Sequence, residues 1–267
     1  MKKGFLLSIF ILVIFVSCKK DKDAKINIFP VSKDKELGAQ MDAFINSDTS
    51  GMVVLNEAQY PKSYARLKHI RDYILASGKL KYKDDFPWKV TIIRDDTTLN
   101  AFATPGGYMY VYTGLIKYLD SEDHLAGVMG HEMAHADRRH GTSQMSKQYG
   151  VETLFSLVLG QNPGMLGQLT EGLLTLKFSR NDEAEADDYS VQYLCQNPAE
   201  YEADGAAGFF EKLLASGSGS STPAFLSTHP SDQSRVENIT AKANSLGCDV
   251  NAHNPTGFQE MKKELGF

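Results

Sequence analysis

Charge of one sign is missing from this chain. Its 33 acidic and 28 basic residues are interspersed, and the net charge of −5 leaves no basic stripe or patch. Nucleic acid is excluded as a partner on that ground, because its phosphates are met by clustered lysine and arginine. Cysteine is scarce, at three residues (18, 195 and 248), so one internal pair is the most that Cys195 and Cys248 can form once Cys18 is set aside. Long apolar runs are also missing after residue 16. Val151 to Phe178 is rich in leucine but is broken by Gly160, Asn162, Pro163, Gly164, Gly167 and Gly172. No clean stretch of about 20 apolar residues remains there to span a bilayer. It reads as two short helices joined by a glycine-rich turn. What is present is 42% hydrophobic content over 267 residues, ordinary for a protein with a core large enough to bury an active site.

The N-terminus differs from the rest. Lys2-Lys3 precede an apolar segment from Gly4 to Val16, and polar Ser17-Cys18-Lys19-Lys20 follow, the order of a secretory signal rather than of a permanent span. Val16-Ser17-Cys18 resembles a bacterial lipobox, in which the cysteine becomes the lipidated first residue of the mature protein; Phe15 stands where that pattern prefers an aliphatic residue. The expected organisation is a signal peptide over 1–17, a lipidated tether over 18–35 beginning at Cys18, and a single domain over 36–267. The expected location is the bacterial cell envelope, as a periplasm-facing lipoprotein that touches the membrane only through its lipid. In an exported protein Cys195 and Cys248 can pair, provided their Cα atoms approach.

Along the domain, Leu37, Met41, Phe44 and Ile45 fall at helical spacing, and Tyr64, Leu67, Ile70 and Ile74 form the stripe of a longer helix from Tyr60 to Ser77. Trp88 to Ile93 and Tyr108 to Tyr112 read as strands. Between them Asn100-Ala101-Phe102-Ala103-Thr104-Pro105-Gly106-Gly107 cannot continue as a central strand, because of its proline and paired glycines. It is either a plain hairpin loop or a sheet edge where a substrate backbone docks. Ser121, with Glu122 and Asp123 behind it, caps a helix expected to run to His140, ahead of Gly141. Gly205 to Ser216 and the segment through Phe258, Met261 and Leu265 read as further packing helices, with a flexible loop over 217–222 between them.

The centre of the pattern is His131-Glu132-Met133-Ala134-His135. Two histidines four apart on a helix share a face one turn apart, so both imidazoles can reach one metal ion. A shuffled chain of this composition would contain His-acid-x-x-His roughly 0.02 times, so the motif is informative but needs a third ligand. The helix opening at Ser179 or Asn181 offers one. Glu183 and Asp187 share a face there, and a hard carboxylate completes a two-histidine site for catalytic zinc, leaving one coordination position open. Glu183 is the expected ligand. Asp187, one turn on, suits a hydrogen bond to a ligating histidine. Glu185 should face solvent or a cation. Within this scheme Zn²⁺ activates a water and Glu132 moves its proton. His124 and His140 read as structural, His140 as a helix C-terminal residue facing the dipole.

These residues, together with His229-Pro230 and Arg235, resemble zinc metallopeptidase family forty-eight, which groups membrane-bound HtpX-type and CAAX prenyl proteases with soluble exported members of the BepA and LoiP type. The four motifs occur in that family's order between Asn100 and Arg235, about half the chain. The resemblance implies an α+β gluzincin fold, mostly helical with a small β-sheet beside the active-site helix, one zinc ion held by His131, His135 and Glu183, and endopeptidase activity. It places His229 near the zinc, either assisting catalysis or closing the site as a further ligand. Arg235 either orients that region or pairs with an acidic neighbour. The edge segment (Asn100, Ala101, Phe102, Ala103, Pro105, Gly106, Gly107) would take unfolded or misassembled polypeptide as an added strand. The alternative, from a different class, is a zinc-containing chaperone or assembly factor with little proteolysis.

Overall fold

The computed structural model describes residues 29–160, 164–216, 223–230, 232–253 and 257–267. The expected signal peptide, Cys18, most of the tether and the 217–222 loop lie outside them. Twelve α-helices run through the described residues: α1 Val31–Ile45, α2 Pro61–Ala76, α3 Thr113–Tyr118, α4 Glu122–Asp137, α5 His140–Tyr149, α6 Val151–Val158, α7 Gly164–Leu174, α8 Arg180–Leu194, α9 Gly205–Ala215, α10 Ala224–Thr228, α11 Gln233–Leu246 and α12 Gly257–Leu265. Strands β1 Lys89–Ile93, β2 Ala101–Thr104 and β3 Tyr108–Tyr112 form one sheet in the order β1-β3-β2, parallel between β1 and β3 and antiparallel between β2 and β3. The molecule is mostly helical with a small mixed sheet, an α+β arrangement.

Period-two side chains give the sheet two different faces. Val90, Ile92, Ala101, Met109 and Val111 face the larger core with α2 and α4, whereas Phe102, Tyr110 and Tyr112 face a second core with α1, α6 and α7. The sheet is thus a middle layer, and β2 is the edge strand beside α4.

Helix α4 is buried on nearly every side, with only His124 partly exposed, as its apolar composition demands. The Ser121 side chain accepts from His124 N, and Glu122 is paired with Arg66 and with the Tyr201 hydroxyl. Two glycines let neighbours approach α4 closely. A Cβ on Gly127 would lie 2.0 Å from the backbone nitrogen of Ala206, and one on Gly130 would lie 2.6 Å from Ser190 Oγ. Ser190 Oγ donates to the Gly127 carbonyl at 2.9 Å, pinning α8 across α4.

Three features differ from expectation. Helix α1 opens at Val31, ahead of the boundary at 36, because fully buried Phe29 draws the chain into the second core and Asp34 is ion-paired with Arg139. The helix expected to reach His140 stops at Asp137. Arg139 takes a left-handed conformation (φ 60°) and α5 starts anew. That conformation costs of order 1 kcal/mol, which the Arg139 contacts with the Asp34 carboxylate and the Phe29 carbonyl offset. Finally, Pro105-Gly106-Gly107 lies buried beneath α1 rather than at an open edge. A Cβ on Gly38 would meet the Pro105 carbonyl oxygen at 1.9 Å, and one on Gly106 would meet Asp34 backbone at 2.9 Å.

Cys195 and Cys248 form a disulfide with Cα atoms 5.1 Å apart, joining the end of α8 to the residue after the α11 cap. Among the described residues no helix is long and apolar enough to cross a membrane.

Candidate metal centre

The i, i+4 spacing on α4 brings His131 Nε2 within 3.0 Å of His135 Nε2. Across the α4–α8 crossing, Glu183 in the first turn of α8 reaches both: Oε2 is 3.5 Å from His131 Nε2 and Oε1 is 3.5 Å from His135 Nε2. The start of α8 is fixed by a capping box, in which Ser179 Oγ accepts from Asp182 N and Asp182 accepts from Ser179 N; such a cap is worth about 1 kcal/mol. After α10, His229 enters the same group, with Nδ1 3.3 Å from His131 Nε2 and 3.0 Å from Glu183 Oε1. Its ring stacks between Phe225 and Phe178 at centroid distances of 4.5 and 5.3 Å.

The donor set fits zinc. Three imidazole nitrogens and a carboxylate oxygen, all buried, lie within 4.8 Å of one another. Ligands about 2.0–2.1 Å from a tetrahedral ion stand roughly 3.3 Å apart; five of the contacts here run from 3.0 to 3.5 Å, and all four donors lie within 4.8 Å of one another. His131, His135 and Glu183 would hold the ion, with His229 Nδ1 close beside them, 3.0 Å from Glu183 Oε1 and 3.3 Å from His131 Nε2.

A second ring of side chains orients these donors. Asp187 Oδ1 lies 2.9 Å from His131 Nδ1. Arg235, near the start of α11, grips Asp187 with Nε and Nη2 at 2.8 and 2.7 Å and reaches Glu183 Oε2 with Nη1 at 2.8 Å. Its guanidinium also covers the Phe210 ring at 4.2 Å. Burial alone would pull the His131 imidazolium down, but the Asp187 and Glu183 carboxylates outweigh it and push His131 up to about 9. Burial opposes the charged forms of Glu183 and Asp187 too, yet their cationic neighbours hold both below the usual carboxylate range. His135, dominated by burial, is lowered. Three imidazoles and a carboxylate gathered in one buried group suit a cation.

Glu132 sits beside this set without belonging to it. It is buried, and its Oε1 lies 3.4 Å from His229 Nε2. Burial raises it above the usual carboxylate range. Glu132 and His229 face a cleft lined also by Asn100, Phe102, Ala103 and Thr228 and covered by Leu173, Leu174 and Phe178. The space between them is about 10 Å³, the room of about one water. Of the expected edge segment, Asn100, Phe102 and Ala103 therefore line the cleft. Ala101 points into the main core, and Pro105-Gly106-Gly107 supports the strand from behind.

Two contributions escape sequence reasoning. Leu173, Leu174 and Phe178 reach the cleft from the glycine-broken segment, whose apolar character was legible but whose destination was not. His140 sits against His135, with Nδ1 atoms 2.9 Å apart. On a continuous helix five residues turn about 140°, which would face it away; only the break at Arg139 brings it round. Glu185 pairs with Arg138 at 2.8 Å and remains partly exposed.

An α+β fold buries two histidines one turn apart, a crossing glutamate and a second glutamate facing a cleft, which together make a candidate metal centre beside a cleft. The model of Peptidase family M48 matches residues 61–243, more than half of the chain, and the protein belongs to that family of zinc-dependent metallopeptidases. Among its relatives is the mitochondrial metalloendopeptidase OMA1 of Schizosaccharomyces pombe, 34% identical over 160 residues, 58% of this chain and 46% of that protein. The metalloprotease YcaL of Escherichia coli is 26% identical over 199 residues, 72% of this chain and 73% of that protein. The β-barrel assembly-enhancing protease of Escherichia coli is 31% identical over 176 residues, 60% of this chain and 35% of that protein. The chain spans about half or less of the length of the mitochondrial relatives it matches.

Proposed function

We propose that this chain is a gluzincin-type zinc endopeptidase that hydrolyses peptide bonds in unfolded or misassembled envelope proteins, acting as an exported, periplasm-facing lipoprotein anchored through Cys18. The observation that carries the activity is Glu132: a buried carboxylate of raised proton affinity, next to the donor set, outside it and facing the cleft. Zinc bound by His131, His135 and Glu183 would supply a Lewis acid for the scissile carbonyl and make water nucleophilic near neutral pH. Glu132 takes the proton from that water and delivers it to the leaving amine. An extended chain laid beside β2 would be held by main-chain bonds, which selects unfolded polypeptide by backbone rather than by side chain. Asn100 Oδ1, buried and without a hydrogen-bond partner, offers such a chain an acceptor in the cleft.

His229 is read as a latch. Its Nδ1 lies 3.3 Å from His131 Nε2 and 3.0 Å from Glu183 Oε1, and its Nε2 lies 3.4 Å from Glu132 Oε1, so it would be within reach of an ion held by those residues and would have to withdraw for a substrate carbonyl to take its place. The alternative role is stabilisation of the tetrahedral oxyanion. His229→Ala separates the two, raising turnover if the residue is a latch and lowering it if it assists catalysis; unchanged turnover would leave it with packing alone.

The test of the function is cleavage of unfolded casein by wild type and by Glu132→Gln, with zinc content measured in both. Wild type should cleave; the variant should hold the same zinc and lose about 10²–10⁴-fold in rate. A wild type that carries one zinc yet cleaves under no condition would overturn the endopeptidase reading in favour of a zinc-containing chaperone or assembly factor.

A further inference from the structure

The two histidines of the metal centre are supported differently. His131 Nδ1 faces a carboxylate, Asp187, whereas His135 Nδ1 faces a second imidazole, that of His140, at 2.9 Å. His140 is fully buried at the first position of α5. Its other nitrogen, Nε2, lies 3.4 Å from Glu185 Oε2 and 3.8 Å from Asp182 Oδ1, and Glu185 is in turn held by Arg138. From these contacts we infer that His140 is a positioning residue for the metal centre, accepting the His135 Nδ1–H bond and passing the constraint outward to Glu185.

The proton positions follow one from another. His135 turns Nε2 into the donor set, so that atom must present its lone pair and Nδ1 must carry the hydrogen. Two Nδ1 atoms at 2.9 Å cannot both donate, so His140 Nδ1 accepts. The single hydrogen of a neutral His140 is then on Nε2, where it donates to the Glu185 carboxylate. Every N–H in this chain points away from the metal, and one tautomer satisfies all three groups. Metal-ligating histidines usually hand their second N–H to a carboxylate, a carbonyl or water, and loss of that partner typically weakens metal binding 10–100-fold. An imidazole inserted between ligand and carboxylate keeps the orientation while moving the negative charge one residue outward. His135 and His131 therefore differ in what polarises them, although both carry the same kind of donor nitrogen.

This inference rests on the zinc reading above and is tested apart from it. Zinc dissociation is measured by competition with a chromogenic chelator for wild type, Glu183→Ala, His140→Phe and His140→Asn, alongside the melting temperature of each metal-free protein. Asparagine places an amide oxygen near the position of Nδ1 and should stay within about threefold of wild type; phenylalanine keeps the ring but offers no acceptor and should bind zinc 10–100-fold more weakly. Equal affinity in His140→Phe and wild type, or equal loss in the Asn and Phe variants, overturns the inference. Long-range ¹⁵N–¹H correlation on zinc-loaded wild type needs no variant to fold. His140 should be the neutral Nε2–H form, and an Nδ1–H form or an imidazolium would contradict the proposal. A wild type that binds no zinc, or Glu183→Ala binding as tightly as wild type, would remove the zinc reading and this inference with it.

Discussion

The α4–α9 crossing and the α1–α7 contact are both helix contacts that contain glycine, but they are built differently. At the crossing, backbone meets backbone: a Cβ on Gly127 would lie 2.0 Å from Ala206 N, and one on Gly205 would lie 2.2 Å from the Asp123 carbonyl oxygen. Near α7 the neighbour of Gly167 is the tip of a side chain, Phe44 Cζ at 3.1 Å, which can swing aside. Main chains in contact leave no rotamer freedom between α4, which carries His131 and His135, and α9, which supports it from behind, whereas a contact held by side chains can shift by small amounts at low cost. The half that must hold donor atoms 3.0–3.5 Å apart is thus the rigid one. The half that contributes Leu173, Leu174 and Phe178 to the cleft is the adaptable one.

The sharpest way to break this comparison is a matched pair of glycine-to-alanine changes. Gly127→Ala should cost about 3 kcal/mol in urea unfolding, because no rotamer relieves a clash with backbone. Gly167→Ala should change stability by less than about 1 kcal/mol, helix propensity offsetting the shift of Phe44. Equal costs would mean that the two halves are built alike. A comparable effect is expected at the disulfide, which braces only the rigid half by joining α8 to the end of α11 across 53 residues. Replacing Cys195 and Cys248 with serine should lower stability by about 2–4 kcal/mol at most, read as a fall in melting temperature that reductant reproduces in wild type.

The smallest effect concerns pH. Glu202 is pushed up to about 7 by burial and then by Asp123, Asp204 and Asp249. Because its folded pKa lies above its ordinary value of 4.5, its contribution to stability is fully present below 4.5 and is lost as pH rises through about 7. Glu202→Gln should therefore melt higher than wild type at pH 8 and level with it at pH 4. The gain should stay below about 1 kcal/mol, since the group is only partly buried and its charge is screened by solvent. A variant less stable than wild type at pH 8 would contradict the sign.

Local rules made much of this molecule readable. The helical stripes of α1 and α2, the aromatic and β-branched strands β1 and β3, and the Ser121 and Ser179 caps all follow from periodicity and capping chemistry, and the site's donors follow from two i, i+4 pairs. What stayed hidden depends on tertiary partners. Arg139 adopts a left-handed conformation only because Asp34 and Phe29 await its guanidinium, and without that break His140 faces the wrong way. Pro105-Gly106-Gly107 looks like an open edge until α1 is packed upon it. Helix α11, which delivers Arg235 to Asp187, has a stripe of Val236, Ile239 and Ala243 too sparse to stand out before its partners α8 and α9 are known.

The central claim is that three residues from two crossing helices make one zinc site, with Glu132 beside it as the proton carrier. Metal analysis of the purified wild type, Glu132→Gln and Glu183→Ala proteins tests it most directly. The account predicts one zinc per chain in the first two and almost none in the third, with all three folded. A full equivalent of zinc retained by Glu183→Ala, or its loss from Glu132→Gln, would contradict the assignment.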